Sequence, residues 1–156
     1  MPAAATIPAP GVAPAPPVAP PTVTSAPVPP GEKAQVAEAA LAFLDALLAG
    51  DAAGLSSASA ERFSFDGDAR TGRPDVRRGF DALVVRRAGL PRATLLDLEV
   101  LPVADAAARL GAPPPRLAPL AATRGAWVAI ADVSGRPVVL FLVREGPRWL
   151  VAGLHG

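Results

Sequence analysis

The sequence predicts an α+β domain in which N-terminal helices pack against an antiparallel sheet, preceded by a Pro/Ala-rich tail. Apolar residues recur with a helical period between Glu32 and Ala49. Three segments of strand length, 126–133, 137–144 and 148–154, follow one another across short turns, as in an antiparallel meander. Residues 1–31 show neither pattern. We therefore expect one α+β domain over residues 32–156.

The tail has a composition that opposes regular structure. Of the first thirty residues, eleven are Pro, eight are Ala and none is charged. Proline removes backbone donors and blocks helices. The tail also has too little bulky apolar surface to compensate for the entropy lost when the chain is ordered. We expect a disordered, semi-stiff linker over residues 1–31. It is a tether that holds the domain away from an attachment point, a docking ligand for a proline-binding module, or simply a composition-biased linker.

The first helix is the best-defined element. One stripe between Glu32 and Ala49 carries Val36, Ala40, Phe43, Leu44, Leu47 and Leu48. Gly50 follows as a C-terminal cap. Asp51 is placed to cap a second, short helix over residues 52–57.

The middle of the chain alternates strands and helices. Phe63 and Phe65 indicate a short strand that enters a turn at Asp66-Gly67. A third helix starts near Pro74 and ends before Gly89. A strand is expected over residues 94–103, followed by an irregular stretch that holds one possible helical turn at 104–110.

Both faces of the predicted meander are apolar, which is unusual for a sheet with one wetted side. Simple alternation places one set on the first face: Trp127, Ala129, Ala131, Val138, Leu140, Leu142, Trp149 and Val151. The second face receives Val128, Ile130, Val139, Phe141, Val143, Leu150 and Leu154. Helices can cover one face. The other needs a homodimer partner, the 104–123 segment or an apolar ligand.

Composition excludes several classes of function. The net charge is +1, so no strong field attracts nucleic acid, and no apolar run is long enough to span a membrane. Residues 61–92 hold eight Arg against five acids. A solvated helix face explains this excess best, with an anionic partner as the alternative. The chain lacks Cys and shows no nucleotide or metal motif, so no cofactor and no metal are expected. The compartment is cytoplasmic, or periplasmic or secreted if an upstream signal has been removed.

The order of these elements resembles the nuclear-transport-factor-two-like, or ketosteroid-isomerase-like, superfamily. The resemblance includes the last strand, where Trp149 is followed six residues later by His155, as in the association domain of calcium/calmodulin-dependent kinase. It covers roughly residues 34–156. It implies a curved sheet wrapped around helices into a cone, a pocket at the open end and frequent dimerisation through the sheet surface. The absence of Tyr removes the phenolic donor that the resemblance would imply for an isomerase.

Four residues are candidate catalytic groups. His155 is the one side chain with an ordinary pKa near neutrality, and strand alternation puts it on the face of Trp149. Asp97 and Glu99 alternate on one strand and could divide acid and base roles. Asp132 lies on an apolar face beside a turn. Each also has a structural explanation: a terminal residue for the histidine, a solvated edge for the strand carboxylates and turn capping for Asp132.

The candidate ligand-binding residues are Trp127, Leu140, Leu142, Arg144 and Trp149, and which of the two sheet faces lines the pocket stays open. Two functions remain open. The favoured one is a non-catalytic, dimerising module that binds a small apolar molecule or none. The alternative is an isomerase, cyclase or hydrolase that uses His155 with one of the three carboxylates.

Overall fold

A computed structural model describes residues 31–156. Within them, six strands form one curved, open sheet in the order β2-β1-β6-β5-β4-β3. Three helices lie N-terminal to most of the sheet and pack on one of its faces, called the inner face below. This is the predicted α+β class. The disordered tail predicted for residues 1–31 falls, apart from Gly31, outside the described residues.

The three helices that precede β3 begin and end close to where the sequence places them. They are α1 (Glu32–Ala49), α2 (Ala52–Ala58) and α3 (Arg73–Arg87). Gly50 ends α1 in the left-handed conformation, with φ of 69°, which glycine adopts at little cost. The Asp51 side chain accepts a hydrogen bond of 3.0 Å from a backbone amide of α2, so the predicted cap is confirmed.

The strands are β1 (Ser59–Phe65), β2 (Asp68–Thr71), β3 (Leu95–Pro102), β4 (Trp127–Val133), β5 (Arg136–Glu145) and β6 (Arg148–His155). β4, β5 and β6 form the predicted meander, and β3 adds to its edge antiparallel to β4. β1 pairs parallel to β6, and β2 closes a hairpin on β1. The sequence missed β2, because its four largely exposed residues carry no apolar alternation.

A bulge in β6 changes which face its last residues occupy. Leu142 pairs with Val151, whereas the neighbouring Phe141 pairs with Gly153, so Ala152 is an extra residue in the strand. An extra residue reverses the side-chain alternation beyond it and increases the local twist of the sheet.

This bulge corrects two predicted positions. Leu154 packs against the inner core rather than on the second face. His155 pairs with Val139 and therefore lies on the opposite, outer face, away from Trp149. Simple alternation was wrong for both residues, since it assumed an unbroken register through β6.

The inner core joins α1, α2 and α3 to the sheet. The inward residues of β4 and β5 are buried here as predicted, except Val138, which is half-buried and packs against this core. At one side a cluster of four phenylalanines, with ring centroids 4.6 to 5.9 Å apart, links the helices to β1: Phe43, Phe63, Phe65 and Phe80. Such aromatic contacts add to the free energy that burial of their area already contributes.

The outer face of the sheet is covered by the chain itself. Residues 103–121, here called the outer cover, form α4 (Val103–Leu110), a 3₁₀ turn (Pro115–Leu117) and α5 (Ala118–Ala121). Their apolar side chains share a second core with the sheet, whose buried members are Leu101, Ala106, Leu117, Val128 and Phe141. Of the three coverings considered for this face, the structure shows the intrachain segment.

Gly153 allows the outer cover to approach β6 closely. A Cβ atom built at Gly153 would lie 2.4 Å from Cδ1 of Leu120 in α5. Leu120 also contacts the small cluster of Ala60, Leu150 and Ala152. The small residues of β6 therefore determine how closely α5 packs on the sheet.

No helix within residues 31–156 is long and apolar enough to cross a membrane.

Candidate functional site

A pocket of about 790 Å³ opens at one end of the domain, between the inner face of the sheet and the helices. Its walls are the C-terminal ends of α1 and α3, the loop 88–93, the β4–β5 hairpin and the end of β6. Its volume lies within the range of pockets that bind small molecules.

The interior of this pocket is apolar. It is lined by Leu47, Leu48, Leu83, Val84, Val138 and Leu154, several of which pack directly against the inner core. Leu154 reaches the pocket only because of the bulge at Ala152. Such a surface favours an apolar ligand.

Three arginines, Arg87, Arg92 and Arg136, complete the lining. The other described residues of the pocket contribute no carboxylate or imidazole side chain. Within residues 31–156 no carboxylate, that of Gly156 included, makes an ion pair of 4.0 Å or less with any of the three. The pocket thus combines an apolar interior with uncompensated positive charge.

Known structures share this architecture. No family model and no curated protein matches the sequence. A candidate dehydratase of the NTF2-like family from Streptomyces avermitilis superposes with a TM-score of 0.50 and 18% identity, over 82% of this chain and 96% of that one. ActVI-ORFA from Streptomyces coelicolor gives a TM-score of 0.50 and 16% identity, over 81% and 94% of the two chains. The chain has the nuclear-transport-factor-two-like fold. At these identities the likeness establishes the fold and leaves the activity open.

The residues predicted to line the ligand site are elsewhere in this nuclear-transport-factor-two-like domain. Trp127, Leu140, Leu142 and Trp149 are buried in the inner core, with the two indole rings edge to face at a centroid distance of 6.4 Å. Arg144 is exposed and donates a hydrogen bond of 3.2 Å to the carbonyl of Gly146 in the next turn. None of the five lines the pocket. The four apolar residues share the inner core with the buried side of α1, and Arg144 is exposed near the end of β5.

Two of the candidate catalytic carboxylates meet on the outer face. Asp97 and Asp132 are direct partners across β3 and β4. Asp132 accepts a hydrogen bond of 2.7 Å from the backbone amide of Gly135, which is the turn-capping role considered for it. Neither side chain reaches the pocket.

Glu99 contacts the outer cover rather than a substrate site. Its carboxylate forms an ion pair with Arg109 near the end of α4. The hydrogen bond and the charge of Arg109 hold the pKa of Glu99 below its ordinary value, and Glu99 in turn raises the pKa of Arg109. This pair attaches α4 to β3.

His155 belongs to a second attachment of the outer cover. Its Nδ1 atom contacts Oδ1 of Asp66, and Nη2 of Arg116 in the 3₁₀ turn lies 3.3 Å from that oxygen and 3.4 Å from the imidazole nitrogen. A backbone hydrogen bond of 2.8 Å, from the amide of Asp66 to the carbonyl of Leu154, holds the two segments together beside these side chains. The geometry joins the β1–β2 turn, β6 and the cover at one point.

Arg92 and Arg136 were not among the binding residues predicted from the sequence, and Arg87 was interpreted as part of a solvated helix face. One signal was available, since the Arg excess of residues 61–92 includes Arg87 and Arg92. Arg136 comes from a distant hairpin, and only the folded chain brings the three together.

Proposed function

We propose that the domain is a non-catalytic binding module that takes one small apolar molecule into the pocket at its open end. The observation that carries this proposal is the lining of the pocket, which is apolar inside and whose described side chains supply no general acid or base that titrates near neutral pH. A pocket of this composition gains affinity by removing hydrocarbon from water.

The placement of the candidate catalytic residues supports the same proposal. Glu99 and His155 attach the outer cover, while Asp97 and Asp132 face each other on the outer side of the sheet. Catalysis in the cone would need a proton-transferring group within hydrogen-bond reach of the ligand.

A neutral fluorescent probe, phenylnaphthylamine, tests the proposal. We expect saturable binding to the full chain with one site per chain. Ala88→Trp, which adds an indole at an exposed position of the lining, should abolish most of it. Ala82→Trp is the matched control, because Ala82 is exposed on α3 but does not line the pocket. Equal probe binding by the two variants would refute binding in this pocket.

A homodimer through the sheet surface was expected because the second apolar face needed a cover. The outer cover now buries Val128, Phe141 and Leu150 on that face. Ile130, Val139 and Val143 on the same face stay half-buried, so the outer cover supplies most, but not all, of the cover that this face needs. A dimer of this protein would have to use another surface or displace the cover.

An enzyme remains the second candidate, and one observation favours it: the contact between His155 and Asp66, which could orient an imidazole for proton transfer. His155 is the single histidine of the chain, so its ring signals can be followed by NMR without assignment ambiguity. Saturation with decanol should leave the ring signals unmoved if the pocket only binds. Shifts at the ring, together with turnover that His155→Ala abolishes, would establish the enzyme instead.

A further inference from the structure

We infer that the natural ligand of the pocket is an amphiphilic anion, an apolar body that carries a carboxylate or phosphate group bound by Arg87, Arg92 and Arg136. The inference rests on the proposed function and specifies the chemical class of its ligand. It follows from the charge at the pocket rather than from the fold, which accommodates many chemistries.

The three arginines come from separate elements that meet at this pocket. Arg87 is in the last turn of α3, Arg92 in the loop that follows, and Arg136 at the start of β5. None of them forms an ion pair with a carboxylate of residues 31–156. By contrast, Arg70, Arg77, Arg78, Arg109 and Arg116 all have acidic partners in the described chain. Nine of the fourteen arginines in residues 31–156 have no such partner, and six of these nine lie outside the lining of the pocket: Arg62, Arg73, Arg86, Arg124, Arg144 and Arg148. What distinguishes the pocket is that three unpaired arginines from separate elements meet there.

The C-terminal ends of two helices carry partial negative charge at this pocket and would repel an anion. Their charge can be compared with that of the three arginines. The C-terminal ends of α1 and α3 both border the pocket. Each carries a partial charge of roughly −0.5. Two backbone amides, of Gly50 and Asp51, already bond to the last carbonyls of α1. Three full positive charges exceed the roughly one negative charge of the two helix ends, and they still exceed the total when the carboxylate of Gly156, which also lines the pocket, is added, so the pocket field remains positive.

Arginine also fits the geometry of the expected group. Its planar guanidinium presents paired donors to the two oxygens of a carboxylate or phosphate, and it is more weakly hydrated than lysine. The apolar lining of the pocket would hold the hydrocarbon part, while an ammonium head group would meet three like charges. Carboxylates and phosphates share this chemistry, so the experiment must separate them.

Titration calorimetry with four monomeric ligands of equal chain length tests the inference: decanoate, decyl phosphate, decanol and decylammonium. At low ionic strength the full chain should bind one or both anions about tenfold more tightly than decanol, and decylammonium more weakly than decanol. The tighter of the two anions identifies the head group. Added salt should reduce the preference, since Arg92 and Arg136 are exposed and Arg87 is only half-buried.

A triple variant, Arg87→Gln/Arg92→Gln/Arg136→Gln, should remove the preference and leave the affinity for decanol within about twofold. The matched control is Arg62→Gln/Arg86→Gln/Arg124→Gln, which lowers the net charge equally at exposed positions outside the lining. It should retain the preference.

The outcomes separate the two proposals. Binding of decanol as tightly as both anions by the unmodified chain would overturn the anion inference and leave the binding module intact. Equal loss of the preference in the two triple variants would also overturn it, because the effect would then be one of net charge. No binding of any of the four ligands would overturn the proposed function itself.

Discussion

Truncation of Leu117 tests whether the outer cover is an integral layer of the domain. Leu117 is only 2% exposed and sits in the second core against Val128 and Phe141. Leu117→Ala removes three carbons, worth about 0.8 kcal/mol each in transfer from water, and leaves a cavity. Because a single thin layer can partly collapse onto the sheet, we expect a loss of about 2–3 kcal/mol in the free energy of unfolding.

Leu110→Ala is the matched control. Leu110 ends α4 in the same segment, yet 66% of its surface is exposed. We expect a change within about 0.5 kcal/mol for it. Urea unfolding followed by circular dichroism would measure both, and the Leu117 variant should show the lower midpoint with an unchanged slope. Equal stability losses in the two variants would refute the conclusion that residues 103–121 are packed on the sheet.

Three further predictions follow from single features of the fold. Gly79→Ala should lower the free energy of unfolding by about 1–3 kcal/mol, because its Cβ would lie 2.5 Å from the ring of Phe65. Gly89→Ala, whose Cβ meets nothing within 4 Å, should cost far less in the same urea titration. Arg109→Gln should raise the pKa of Glu99 toward its ordinary value, measured by NMR titration of the carboxyl carbon. Since folding lowers this pKa, the ion pair stabilises the native state at pH values above the ordinary pKa of Glu99. That stabilisation is lost as the pH falls through the lowered pKa of the folded state. An unchanged Glu99 titration in the variant would contradict this account. Sedimentation velocity at micromolar concentration should give a monomer, because the outer cover occupies the sheet face; a stable dimer would show that another surface associates.

The short-range pattern of the sequence was enough to predict most elements of the domain. The stripe from Val36 to Leu48 predicted α1 to the residue, and the pair Gly50-Asp51 predicted its end and the start of α2. These signals are local, since the helical period, the left-handed cap and the side-chain cap each involve residues a few positions apart. The order of these elements also carried the resemblance that the superposed structures support.

The same local reasoning predicted two apolar faces but failed beyond Val151. Strand alternation can be read from a sequence only if the register is continuous, and the bulge at Ala152 depends on how β6 pairs with β5. That one extra residue sends His155 to the outer face and turns Leu154 toward the pocket. No pattern in the eight residues of β6 predicts this bulge.

The sequence by itself determined the class of the fold, the position of its helices and meander, and the need to cover both sides of the sheet. Only the tertiary structure decided that the outer cover meets this need, and that the pocket is lined by Arg87, Arg92 and Arg136 instead of the predicted tryptophans. The physical reason is distance along the chain. Periodicity reports which side of an element is buried, whereas a pocket forms where separate elements fail to close against each other, and that depends on their packing in space.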